Sequence, residues 1–142
     1  SQCITGDILD SLKCDCGSQL KKSIEMMAND GGLLLYMPEE GRNIGLLNKL
    51  RAYEFQFHNI DTIDANYALG FDADQRRHEN ACELLRLLGV NSIKLITNNP
   101  EKISQVQKGG INVIESVQIK VKVPAEAKKY LETKKIRSGH NL

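Results

Sequence analysis

Apolar residues recur at helical spacing from Ser18 to Asn29, where Leu20, Ile24 and Met27 share a face, and Gly31 with Gly32 ends the run. GLLLYM follows as a short continuous apolar stretch, which predicts a buried strand. Beyond the turn PEEGRN, a second amphipathic helix is expected from Ile44 to Phe55, with Leu47, Leu50 and Tyr53 or Ala52 facing inward. The polar, glycine-punctuated stretch NIDTIDANYALGFDADQ predicts a loop-rich middle that is not a linker. A third helix, Arg76 to Leu88, sets Ala81, Leu84, Leu85 and Leu88 at core spacing and places Gly89 at its C′ end. SIKLIT reads as a buried strand, NNPEK starts a fourth helix with Pro100 near its first position, and INVIESVQIKVKV alternates as a strand. The tail AEAKKYLETKKIRSGHNL predicts a basic helix that frays. Strands alternate with helices, so the expected class is α/β, with a sheet covered on both sides.

Composition narrows the function. At 142 residues the chain is expected to form a single domain, 1–142, with a core that needs no staples. The net charge of +1 makes it neither a polyanion trap nor a membrane-surface binder, so any bound anion must be held by a local cluster. No stretch approaches the ~18 apolar residues of a membrane span. The chain opens on Ser1 with no charged-then-apolar leader, so its start was processed or it begins partway into a longer protein. Four cysteines without secretory features predict reduced thiols in the cytoplasm, hence metal or catalysis rather than disulfides.

CITGDILDSLKCDC brings Cys3, Cys14 and Cys16 close together. A structural zinc site is closed by four protein ligands, whereas a catalytic zinc keeps three and leaves a place for water. The nearby supply stops at three: Cys82 sits on the apolar side of a predicted helix, and His58, His78 and His140 are distant in sequence. An open zinc site is expected. Buried cysteines without metal, or a site closed by a distant histidine, are the alternatives. Cys82 reads as a small core residue.

Cations also stand where helices disfavour them. Arg76 and Arg77 open the third predicted helix and Lys102 lies in the first turn of the fourth. A cation there costs roughly 0.3–1 kcal/mol, which a bound anion would offset. Arg76 and Lys102 are read as phosphate-facing and Arg77 as solvated. There is no P-loop and no dinucleotide fingerprint, and DADQRRHENACE lacks the sixth-position glycine of a calcium loop. PEEGRNIG is either a turn with Asn43 as helix cap or a ligand-facing loop, in which Glu pairs with amino-imino edges and Arg grips phosphate or carbonyl oxygen. An open zinc, several cations and a Glu/Arg loop describe a nucleotide hydrolase that works through metal-activated water.

The blocks SQCITGD, LKCDCGSQL, EGRNIGLLNKLRAY, DTIDAN, LGFDAD with Arg76, LITNNPEK, and YLETK with the closing GH resemble the GTP cyclohydrolase II family from Ser1 to His140. The resemblance implies a three-layer α/β fold with a mixed sheet flanked by helices. It implies conversion of GTP to 2,5-diamino-6-ribosylamino-4(3H)-pyrimidinone 5′-phosphate, with release of formate and pyrophosphate, at the start of riboflavin biosynthesis. Zinc on Cys3, Cys14 and Cys16 would activate the water that attacks C8 of guanine, and magnesium would accompany the triphosphate. Ser1, Gln2, Gln19, Glu40, Gly41, Arg42, Thr62, Thr97 and Lys102 match nucleotide-contacting positions. Tyr53 matches the tyrosine that completes loss of formate. Asp74 and Arg76 match the pair described as general base and nucleophile toward the α-phosphate. A guanidinium has no acceptor with which to attack, so charge stabilisation by Arg76 is the cheaper mechanism.

Two departures qualify the resemblance. The family usually has Gly where this chain has Asn43, which predicts a left-handed backbone there. The family motif also carries an Arg and a His just upstream of Ser1, so the chain is expected to lack the family's N-terminal segment and part of the triphosphate site. GTP is the expected partner, with a homodimer as the family assembly and with no nucleic acid or membrane. A zinc module binding nucleic acid through the basic tail fits poorly, because net charge is near zero and aromatics are few. A domain that binds GTP without turnover is the alternative function.

Overall fold

The computed structural model describes residues 1–58 and 60–139, so His140, which ends the last recognised block, lies outside the described residues. The first helix, α1 (Ile4–Asp7), lies against α2 (Cys16–Asp30) so closely that a Cβ on Gly17 would sit 2.2 Å from the Gly6 carbonyl oxygen. Only glycine permits that approach, and it is what folds the cysteine stretch back on itself. α2 starts earlier than the apolar spacing indicated and stops at Gly31, as expected.

GLLLYM is not a strand in this structure. Residues 31–39 run without regular structure, and Leu33, Leu34 and Tyr36 are exposed while Leu35 packs on the core. One backbone bond, from Gln2 N–H to the Met37 carbonyl (2.8 Å), ties this segment to the chain start. Without a neighbouring ladder, apolar content alone does not make a strand.

The one-turn element α3 (Glu40–Asn43) is a left-handed turn: Gly41, Arg42 and Asn43 have φ of 62°, 61° and 71°. The positive φ predicted at Asn43 is present. Its side chain does not cap the next helix but donates to the Gln75 carbonyl (3.2 Å). α4 (Gly45–Phe57) buries Ala52, whereas Leu47 and Leu50, expected inward, are exposed. The supposed loop-rich middle contains α5 (Thr62–Ala68), because the Asp61 carboxylate accepts from the Ile63 and Asp64 amides and so caps it.

The third predicted helix is shorter. α6 (Glu79–Leu87) begins beyond Arg76 and Arg77, which therefore are not first-turn cations, and the helix-end argument for Arg76 falls. Its buried face is Cys82 and Leu85; Leu84 and Leu88 are exposed. β1 (Ser92–Ile96), α7 (Pro100–Lys108) and β2 (Asn112–Val117) follow, with the Asn99 side chain accepting from Glu101 N–H at the start of α7. β1 is half-buried rather than buried, and β2 stops before the alternation of the sequence does. Among the described residues the sheet is this parallel pair, with Ser92 opposite Asn112 and Ile96 opposite Val117. The class is α/β. Cys82, Leu85, Val106 and Ile111 form the core beneath it, as the small-core reading of Cys82 required.

A 3₁₀ turn (Ala125–Ala127) leads into α8 (Lys128–Ser138). This is not merely a solvated basic tail. Arg137 pairs with Asp61 (2.5 Å) and Asp64 (2.8 Å) around α5, and Lys134 reaches Asp15 (3.2 Å). No helix among the described residues is long and apolar enough to cross a membrane.

Candidate active site and metal centre

Folding α1 onto α2 brings the three thiols together. The Cys3 and Cys14 sulfurs are 3.7 Å apart, and all three sulfurs lie within 4.8 Å of one another. Four-coordinate zinc with bonds of about 2.3 Å to sulfur spaces its ligands about 3.8 Å apart, so the set fits that ion. Among the described residues no histidine or carboxylate joins the group. Hydrogen bonds from the Cys14 and Cys16 thiols, then Lys49, hold Cys3 well below the usual thiol range. Cys16, bonded to the other two thiols and buried, is pushed up.

Lys49, on α4, is the strut. Its ammonium donates to Cys3 Sγ (3.0 Å), Thr5 Oγ1 (2.7 Å) and Glu40 Oε1 (2.7 Å), and those partners hold it charged against the cost of burial. Glu40 also accepts from the Ile4 amide (2.5 Å) and the Gly41 amide (2.9 Å). Its carboxylate is thus a buried brace between the turn, α1 and α4. Tyr53, one helical turn after Lys49, places its hydroxyl 3.4 Å from Thr5 Oγ1, and burial raises its pKa so that it stays a donor. Lys13 lies 5.0 Å from its ring centroid.

The cationic side of the cleft is assembled from the left-handed turn and the segment before α6. The Arg76 guanidinium donates from Nε (2.9 and 3.1 Å) and Nη2, and the Arg76 amide (3.0 Å) also donates, all to the Asp74 carboxylate. Burial would raise Asp74, but the bonds and charge of Arg76 outweigh it and keep the carboxyl below its usual range. Arg42 donates to the Ala73 carbonyl (3.0 Å), which binds the turn to the same segment. Lys102 is in the first turn of α7, as expected; burial, then the charge of Arg76, lowers it to about 8. Burial and the charges of Lys102 and Arg76 also lower His78. Arg42, Arg76 and Lys102 thus gather around Asp74 and Glu39, a cluster of cations able to face an anion.

The candidate metal, catalytic and nucleotide-contacting residues line one cleft of about 920 Å³: the three cysteines, Tyr53, Asp74, Arg76, and the set from Ser1 to Lys102. Some are already engaged. Ser1 Oγ donates to Glu39 (3.1 Å), Gln19 donates to Asp15 (2.5 Å), and Thr97 Oγ1 accepts from Asn99 N–H (3.1 Å). Sequence reasoning missed Thr5, Asp15, Glu39, Lys49 and Lys134. Thr5, Asp15, Lys49 and Lys134 lay within the recognised blocks without a role, and Lys49 also carried an i, i+4 spacing from Tyr53. Glu39 accepts from the Arg77 amide (3.1 Å) and was hidden by its neighbour.

Comparison with known proteins agrees with this geometry. The family model for GTP cyclohydrolase II matches residues 1–118. A GTP cyclohydrolase-2 of Haemophilus influenzae is 50% identical over 143 residues, covering all of this chain and 66% of that relative. One of Escherichia coli is 48% identical, covering all of this chain and 73% of the relative. The riboflavin biosynthesis protein RibBA of Staphylococcus saprophyticus is 45% identical over 99% of this chain, which spans 36% of it. A match this long, over a thiol cluster and cation pair that the fold brings into one cleft, means that the chain belongs to the GTP cyclohydrolase II family.

Proposed function

We propose that this chain carries the site at which GTP is opened and hydrolysed to 2,5-diamino-6-ribosylamino-4(3H)-pyrimidinone 5′-phosphate, formate and pyrophosphate, the first step of riboflavin biosynthesis. The observation that carries the reading is the meeting of a three-sulfur set and a crowded cationic wall in one cleft. Cys3, Cys14 and Cys16 would hold zinc. When bound, zinc supplies Lewis acidity, the polarisation that makes water nucleophilic near neutral pH.

The chain's own residues do the rest. Lys49 fixes the Cys3 sulfur and, through Glu40, the turn beside it. Tyr53 keeps its proton and offers it in the cleft, suited to assisting departure of formate. Arg76 and Lys102 hold phosphate oxygens, and Asp74 aims the guanidinium. An Asp74 carboxyl held below its ordinary pKa is a poor base for stripping an arginine, which favours charge stabilisation over nucleophilic attack by Arg76. Magnesium belongs with the triphosphate, and a homodimer and the fuller three-layer mixed sheet are the expected context.

The test is metal analysis followed by incubation with GTP, measuring formate and pyrophosphate separately. Both products with zinc bound support the reading. GTP binding with neither product would leave a nucleotide-binding domain in its place.

A further inference from the structure

A buried carboxylate stands where charge is least welcome. Asp15, between the ligand positions Cys14 and Cys16, is 2% exposed, and only the ammonium of Lys134 and the amide of Gln19 face its oxygens among the bonds described. Lys134 comes from α8, beyond residues 1–118 that the family model matches, and its own side chain is 12% exposed. Three thiolates around a divalent ion leave one negative charge, and Asp15 adds another. Lys49, which also pairs with Glu40, faces the centre from the Cys3 side, and Lys134 pairs with Asp15 on the Cys16 side.

We propose that Lys134 is a positioning residue for the metal centre: its ion pair with Asp15 fixes the segment that carries Cys14 and Cys16 and balances charge beside them. This rests on the metal reading above. Because Asp15 shares its backbone with both ligands, losing Lys134 leaves its buried carboxylate without that partner and forces it to move, and the two sulfurs move with it. Arg137 anchors α8 independently on Asp61 and Asp64, so docking of the helix and support of the metal can be separated.

The experiment uses the full chain, loaded with zinc or cobalt, in chelator competition below the unfolding temperature, with the cobalt absorption bands as a report on ligand geometry. Lys134→Met is expected to weaken metal affinity about 10–100-fold and to alter the cobalt bands. Lys134→Arg restores most of the loss. Asp15→Asn combined with Lys134→Met binds metal more tightly than Lys134→Met alone, because no charge is stranded. Arg137→Gln lowers Tm but keeps metal affinity. If Lys134→Met does not fold, Asp15→Asn alone gives the same reading from the other side of the pair, with at least tenfold weaker affinity expected. Unchanged affinity and bands in these variants, or equal weakening by Arg137→Gln, overturns the proposal. A wild-type chain that binds neither ion overturns the metal reading itself, and this inference with it.

Discussion

The cysteine lobe and the α/β half are held together by different forces. Around α6, β1, α7 and β2 the contacts are apolar: Cys82, Leu85, Val106 and Ile111 are buried, and polar groups there mostly serve caps and strands. Around α1 and α4, beside apolar residues such as Ile44 and Ala52, ionic groups are also taken out of water, namely Lys49 with Glu40, Lys134 with Asp15, and the thiols between them. Apolar packing tolerates approximation, whereas buried charge does not: a missing partner leaves a desolvated ion. The cysteine-bearing lobe is therefore the one that depends on single residues.

The sharpest break of this contrast is at the tripod. Cys14→Ser is expected to abolish bound metal and reduce formate release from GTP to the uncatalysed level while the chain stays folded, checked by metal analysis and circular dichroism. Next, Lys49→Met should destabilise by about 3–5 kcal/mol by stranding Glu40, and should also weaken metal binding. Ile111→Ala in the other half should cost about 3 kcal/mol through its cavity yet leave metal affinity unchanged. Denaturant melts with chelator titration separate the two. Arg76→Ala should lower pyrophosphate release about 10²–10³-fold while zinc content is retained.

Smaller effects come from charge and backbone. Lys102 titrates near 8, and an anion holds it protonated. Affinity for a triphosphate should then be full below that pH and fall as pH rises through it, by up to about tenfold per unit. Lys102→Arg should remove the fall, since a guanidinium keeps its charge. The smallest effect expected is Asn43→Ala, which should cost about 1–2 kcal/mol because alanine tolerates the left-handed turn poorly. Asn43→Gly should cost less.

What could be read from the chain follows the same division. Local signals were legible: the glycine stop after α2, Pro100 and the start of α7, and the alternation behind β2. The three-cysteine spacing identified its own cluster because two of the cysteines are neighbours but one. Long-range partnerships were not legible. Nothing near Asp15 announces a lysine 119 residues away, and GLLLYM has strand composition but no described strand beside it. The start of α6 was misplaced because Arg76 and Arg77 have good helix propensity, while Asp74 and Glu39 hold that segment in another conformation. Helical spacing also misassigned Leu47, Leu50 and Leu84, since a period shows that a face exists, not that something covers it.

X-ray absorption at the zinc edge of the loaded, substrate-free chain tests the open three-sulfur site most directly. The account predicts three sulfur neighbours at about 2.3 Å and one lighter oxygen-type neighbour. Four protein ligands, or a zinc shell without sulfur, would contradict it.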